Sequence, residues 1–161
     1  MHVLETLPMR IMFTVHGKPQ PAGSKRAFIF NPKGGGRARA SVVDANPKSS
    51  SWKTTVGWNA VKARNEVGLH ELLDGPLRLS LVYEVPRPKS HIGKYGLPRA
   101  SAPSWPTAKP DVLKLARAVE DALTGILYRD DSQIVHEELT KKWGATAVLH
   151  VMLETIEGGR T

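Results

Sequence analysis

The chain has no cysteine among its 161 residues. That absence removes disulfides, thiolate nucleophiles, iron–sulfur clusters and every cysteine-built zinc site at once. No stretch of 18 consecutive apolar residues occurs, so nothing reads as a membrane span. The first 15 residues carry Glu5 and no long apolar run, so no signal peptide is expected and a cytoplasmic location is. Acids are also in short supply, 15 against 23 Lys+Arg, leaving a net charge of +8. Such an imbalance speaks about partners rather than fold. Nucleic acid is the first candidate and an anionic membrane surface the second, although no amphipathic helix with a basic face supports the latter. What is present, 40% hydrophobic and 24% charged residues, suffices for one globular core and is short for two.

The charge is unevenly spread. Residues 1–44 and 76–110 each carry a net +5, whereas residues 111–142 hold seven acids (Asp111, Glu120, Asp121, Asp130, Asp131, Glu137, Glu138) against five bases. Concentrated carboxylates repel one another unless something cationic sits among them. A hard divalent ion such as Mg²⁺ or Mn²⁺ is one answer. The plainer answer puts Glu137 and Glu138 on a solvated strand and pairs Asp121 with Lys114 or Arg117 within one helix.

Hydrophobic period gives the elements. Ile11, Phe13 and Val15 alternate, which predicts a strand over 10–16. A Pro/Gly turn region, GKPQPAGSK, follows at 17–25. A short strand is expected over 27–30, then the loop NPKGGGRAR at 31–39, whose Lys33, Arg37 and Arg39 suit DNA backbone, with pairing resumed at 42–44. Trp52, Val56, Ala60, Ala63 and Val67 recur at helical spacing, with Ser50 or Ser51 as the expected N-cap. Trp58 and Val61 fall on the opposite side and suggest a dimer face. Leu77, Leu79, Leu81, Tyr83 and Val85 form the cleanest strand. Residues 86–110 hold six of the twelve prolines, with bases, Tyr95 and Trp105 between them, and read as one long irregular stretch. Trp105 there suits stacking on an unpaired base. Val112, Leu115, Ala116, Val119 and Leu123 predict a second helix ending at Gly125. Strands over 133–142 and 146–156 follow, with Gly144 in the tight connection of a hairpin. The expected architecture is α+β: a mixed, largely antiparallel sheet with two main helices packed on it, in a single domain over 9–157, with flexible tails at 1–8 and 158–161.

The segment KPDVLKLARAVEDALTGILYRDDSQIV, residues 109–135, carries the chemistry. It places Asp111 at a helix start, where an N-cap is the ordinary reading, and Asp130-Asp131 at a strand entry, where a turn is. Asp111, Asp121-Ala122-Leu123 and Asp130-Asp131-Ser132-Gln133, in this order and spacing, resemble the signature of the RusA family of Holliday-junction resolvases. The basic turn GKPQPAGSKR at 17–26 is similar to that family's turn after its first strand, so the likeness runs from about residue 11 to 155. It implies a Mg²⁺-dependent endonuclease, with Mn²⁺ as substitute, acting on branched DNA as a homodimer. Asp111 and Asp131 would bind the ion, Asp130 would assist and Arg117 would hold phosphate. Lys18, Lys25, Arg26, Lys89, Lys94, Lys109 and Lys114 would meet the DNA backbone.

Two positions depart from the pattern. The family's second acid falls on Leu113 and its lysine on Arg117. Arginine keeps the charge but is no proton donor near neutral pH. Glu120 lies within ~20° of Leu113 on a helical wheel, yet seven residues of helix rise ~10 Å, so it would replace the lost ligand only by moving the ion. A weakened site, or a silent binder of branched DNA, is the alternative that Leu113 keeps open. None of the six histidines pairs at metal-ligand spacing.

Overall fold

The computed structural model describes residues 8–23, 25–30 and 39–156, with backbone alone for 25–30 and 39–44. The expected tails lie outside this range except for Pro8, as do Glu157, the last residue of the expected domain, and most of the glycine-rich loop with Lys33 and Arg37. In chain order the elements are β1 (Arg10–His16), β2 (Lys25–Phe30), β3 (Arg39–Asp44), α1 (Pro47–Glu66), β4 (Leu77–Pro86), α2 (Val112–Leu123), β5 (Ile134–Gly144) and β6 (Val148–Thr155). Four strands form one sheet in the order β1-β6-β4-β5, and β2 and β3 form a separate antiparallel ladder. The ladder spans both strands fully, so β2 and β3 begin two and three residues earlier than periodicity suggested.

The sheet is mixed. β6 runs antiparallel to both β1 and β4, whereas β4 and β5 are parallel. The hairpin expected around Gly144 does not form, because β4 lies between β5 and β6. The reason is the helix: parallel neighbours need a long crossover, and the 86–133 stretch containing α2 supplies it. β4 alternates without a break, its Leu77, Leu79, Leu81 and Tyr83 fully buried. Opposite them in register stand Leu153, Val151 and Leu149 of β6, which in turn face Ile11, Phe13 and Val15 of β1. On this face pack Trp52, Val56, Ala60 and Ala63 of α1 and Leu115, Val119 and Leu123 of α2. Each fully buried leucine contributes about 1.5–3 kcal/mol through removal from water.

The sheet's other face is polar and its charges are paired. Glu154 accepts from Arg10 at 2.8 Å and Arg78 at 3.0 Å, and Glu84 stands 3.1 Å from Lys142. These partners hold both carboxyls below the usual range, hydrogen bonding being the main cause in each case.

Helix α1 starts earlier than expected. Asn46, not Ser50 or Ser51, is its N-cap; the Asn46 Oδ1 accepts from the Lys48 amide at 3.2 Å and Pro47 takes the first turn, where its missing N–H costs nothing. Val67 leaves the apolar stripe and caps the other end, 41% exposed. Asp121 pairs across the helices with Lys53 at 2.6 Å rather than within α2. Its carboxylate leans toward α1, so the pair ties the two helices together.

Gly144 closes β5 where it runs beside β4. A Cβ there would lie 2.7 Å from the Cβ of Glu84, too near for any side-chain rotation to relieve. Gly144→Ala should therefore destabilise the fold by about 1–3 kcal/mol, and a denaturant midpoint equal to the parent's would show that the strands part there without cost.

Candidate functional site

The crossover unit β4–α2–β5 builds the site. Strand β5 begins irregularly: Ile134 faces Leu77 while His136, not Val135, faces Arg78. Val135 is thus an extra residue, and it changes which side chains point inward. Plain alternation from Ile134 turns Glu137 to solvent. After the bulge, Glu137 instead stands opposite Leu79, with Leu139 opposite Leu81 and Lys141 opposite Tyr83, on the face that α2 covers.

Glu120, in the last turns of α2, meets Glu137 there. The two carboxyl groups lie close enough that a proton on Glu120 can be shared with Glu137, which favours the neutral form of Glu120. Burial, then the charges of Glu137 and Asp131, raise the Glu120 pKa to about 7, with Arg117 opposing. Burial likewise raises Glu137, against the hydrogen bond from Glu120. Beneath the pair the Tyr83 hydroxyl is fully buried and has no hydrogen-bond partner among the described residues. Its pKa is pushed up by burial first and by the charges of Glu137 and Glu120 next. The cleft above is about 440 Å³ and is lined by Leu113, Lys114, Arg117, Glu120, Glu137 and the Ala22-Gly23 backbone corner. That corner is fastened to α2 by the Ala22 amide, which donates to the Lys114 carbonyl at 2.9 Å, and to the α1 cap by the Asn46 amide on the Pro21 carbonyl at 3.0 Å.

The expected acids occupy three settings. Asp111 is at the N-cap position of α2 but makes no capping hydrogen bond; its contact is Lys114 at 3.9 Å. Asp130 closes a turn, its side chain accepting from the Ser132 amide at 2.9 Å, while the Asp130 amide donates to Gln133 Oε1 at 3.1 Å. The bond to Ser132 lowers the Asp130 pKa. Gln133 also donates to the Leu73 and Gly75 carbonyls, at 3.0 and 3.2 Å, which fixes this turn at the mouth of β4. Asp131, next in the turn, is exposed, and its charge acts on Glu120 and Tyr128. Asp111 and Glu120 are ~13 Å apart along the helix axis, too far to share one ion. Among the described residues no three Asp, Glu or His side chains converge as a closed metal cage does. Mg²⁺ commonly uses one or two carboxylates and completes its shell with water and phosphate. Glu120 and Glu137, with the unpartnered Tyr83 oxygen beneath, fit that chemistry.

Of the expected basic contacts, Lys18, Lys89, Lys94, Lys109, Lys114 and Arg117 are exposed. Lys25 and Arg26 begin β2, where the backbone alone is described. Glu137 is exposed, as a solvated strand implies, but sequence reasoning missed its meeting with Glu120, because the bulge that sets it on the helix-covered face leaves no mark in the hydrophobic pattern. It also missed Lys141, whose ammonium donates to the Ala108 and Pro110 carbonyls at 2.7 and 3.0 Å and so sets the head of α2 against β5.

Comparison with known proteins adds two findings. The family model described as endodeoxyribonuclease RusA matches residues 20–154. An uncharacterized protein of Bacillus subtilis (strain 168), YqaN, is 31% identical over 154 residues, covering 91% of this chain and 96% of its own length.

A carboxyl held near pH 7 binds its proton more tightly folded than unfolded. Its contribution to stability is complete below the model-peptide value of 4.5 and is lost as pH rises through about 7. In metal-free buffer the melting temperature should fall across that window. Glu120→Gln, neutral throughout, should flatten the fall; an unchanged slope in thermal melts of the variant would refute the Glu120–Glu137 contact.

Proposed function

Because the chain belongs to the RusA endodeoxyribonuclease family, we propose that it hydrolyses phosphodiester bonds in branched DNA, four-way junctions included, with Mg²⁺ as cofactor and Mn²⁺ as substitute. The observation that carries this reading is a pair of mutually repelling carboxyls, Glu120 and Glu137, in a cleft rimmed by Lys114 and Arg117 on a chain of net charge +8. Such a site costs stability unless a cation or a proton is supplied. In this reading Glu120 and Glu137 face the ion, Asp131 adds its charge from the neighbouring turn, and Asp130 fixes the turn that presents Asp131. Asp111, at the head of α2 without a capping hydrogen bond, meets the substrate. Mg²⁺, when bound, supplies Lewis acidity at the scissile phosphate and stabilises the leaving oxygen. Arg117, permanently charged, holds a phosphate oxygen and offsets the charge that develops there. Lys18, Lys25, Arg26, Lys89, Lys94, Lys109 and Lys114 hold flanking phosphates, so affinity falls steeply with salt.

Two symmetric nicks call for two active sites, which a homodimer provides. Trp58, 70% exposed, and Val61 border an apolar groove between α1 and α2 that suits this contact. The protein acts in the compartment that holds the DNA, the cytoplasm of a bacterial or phage-infected cell, in recombination and repair; among the described residues no helix is long and apolar enough to cross a membrane. A second reading, a silent binder of branched DNA, is favoured by one observation alone: Leu113 stands, 69% exposed, where the family's second acid belongs.

A nicking assay on a synthetic four-way junction separates the two. The parent should cut in Mg²⁺ or Mn²⁺ and not in EDTA. Asp131→Asn and Glu137→Gln should each lower the rate by about 100-fold or more while junction binding persists. Tight binding without product in either ion would establish the silent binder instead.

A further inference from the structure

Between Glu84 and Asp111 the chain has no acid and five bases, Arg87, Lys89, Lys94, Arg99 and Lys109. This stretch is irregular, as its prolines suggested, but part of it is tightly built. Residues 91–99 form a small clip: Ile92 pairs with Pro98, the Gly93 amide donates to the Leu97 carbonyl at 2.7 Å, and the Arg99 amide to the His91 carbonyl at 2.9 Å. Arg99 Nε adds a bond to the Ile92 carbonyl at 3.1 Å. The base of the clip is seated on Trp143. The His91 ring meets the indole edge-on at 5.5 Å, and the Arg87 guanidinium lies over it at 4.9 Å. Trp143 Nε1 and Arg87 both donate to the Pro103 carbonyl at 2.9 Å.

The tip of this well-fastened clip is Tyr95, 84% exposed, with Leu97 beside it at 65%. Among the described residues Tyr95 is the non-glycine at positive φ, 66°, a conformation that a Cβ makes costly. The ring gives nothing to the core in exchange. Lys94 lies 5.2 Å from its centroid, so the tip offers an aromatic face with a cation alongside. A nucleobase joined to its phosphate matches that pairing, because every base has a face to stack and a charge to neutralise. Base faces are hidden in a continuous duplex and open at a branch.

We propose that Tyr95 stacks on an unpaired base at the branch point of DNA, with Lys94, Lys89 and Arg99 on the flanking phosphates, and so distinguishes branched from linear DNA. The inference rests on the branched-DNA reading above and adds its recognition element. An anionic lipid surface would also attract the bases, but two apolar residues on a clip form no membrane-buried face of the kind that peripheral binding uses.

The test compares the parent with Tyr95→Gly and Tyr95→Trp in EDTA. Glycine accepts φ 66° without strain, so Tyr95→Gly should melt no lower than the parent. Binding is read by anisotropy on a four-way junction and on a linear duplex of equal length, and by the fluorescence of 2-aminopurine at the crossover. Tyr95→Gly should lose about tenfold or more in junction affinity, keep duplex affinity and leave the 2-aminopurine unquenched, while Tyr95→Trp restores both signals. A variant Tyr95→Gly that retains the parent's junction preference overturns the stacking role and leaves the family reading intact. A parent that binds junction and duplex alike overturns the branched-DNA reading and this inference with it. Tyr95-dependent binding to phosphatidylserine vesicles, with none to DNA, makes the tip a membrane contact and also overturns it.

Discussion

The structure turns on one constraint: helix α2 must lie across the parallel pair β4 and β5 to bury its apolar stripe, and in doing so it presses one carboxyl against another. Leu115, Val119 and Leu123 are held in the core, which fixes the helix face from which the half-buried Glu120 projects. The bulge at Val135 brings Glu137 to meet it. A fold driven by hydrophobic burial thereby accepts a local electrostatic penalty, and the penalty falls inside the cleft that the basic N-terminal turn borders.

Elsewhere the acids are handled differently. Glu154 is bracketed by two arginines, Glu84 by Lys142 and His150, and Asp121 by Lys53. Those contacts hold strands and helices together and lower the carboxyl pKa values where a shift is resolved. The Glu120–Glu137 contact moves in the opposite direction. Opposite shifts within one small domain separate acids matched by a basic partner from acids that crowd one another.

Much of this was legible in the sequence. β4 and α2 follow from unbroken periods, and Asp111, Asp130 and Asp131 stand out by their placement in a familiar signature. Periodicity also gave both helices and the outer strands. What it could not supply was partnership. Nothing local in 133–156 tells a hairpin from two strands separated by a third, because strand order is decided by how the crossover helix packs. Glu137 was hidden for a related reason: one extra residue reverses its direction, and a bulge is set by the fastened turn before it, where Gln133 is bound to Leu73 and Gly75. Asn46 was passed over in favour of serines that turned out to lie within the helix, since the proline that follows it starts the helix sooner.

Strand β5 has a sheet neighbour on one side alone among the described residues. Eleven residues of backbone therefore present amide and carbonyl groups along an open edge, an invitation to add another molecule's strand and, in time, to form fibres. Its charged stretch, Glu137-Glu138 and Lys141-Lys142, together with the irregularity at Val135, makes that edge a poor template. The residues that shape the cleft also serve colloidal stability, keeping a basic, sheet-bearing protein from growing by accretion.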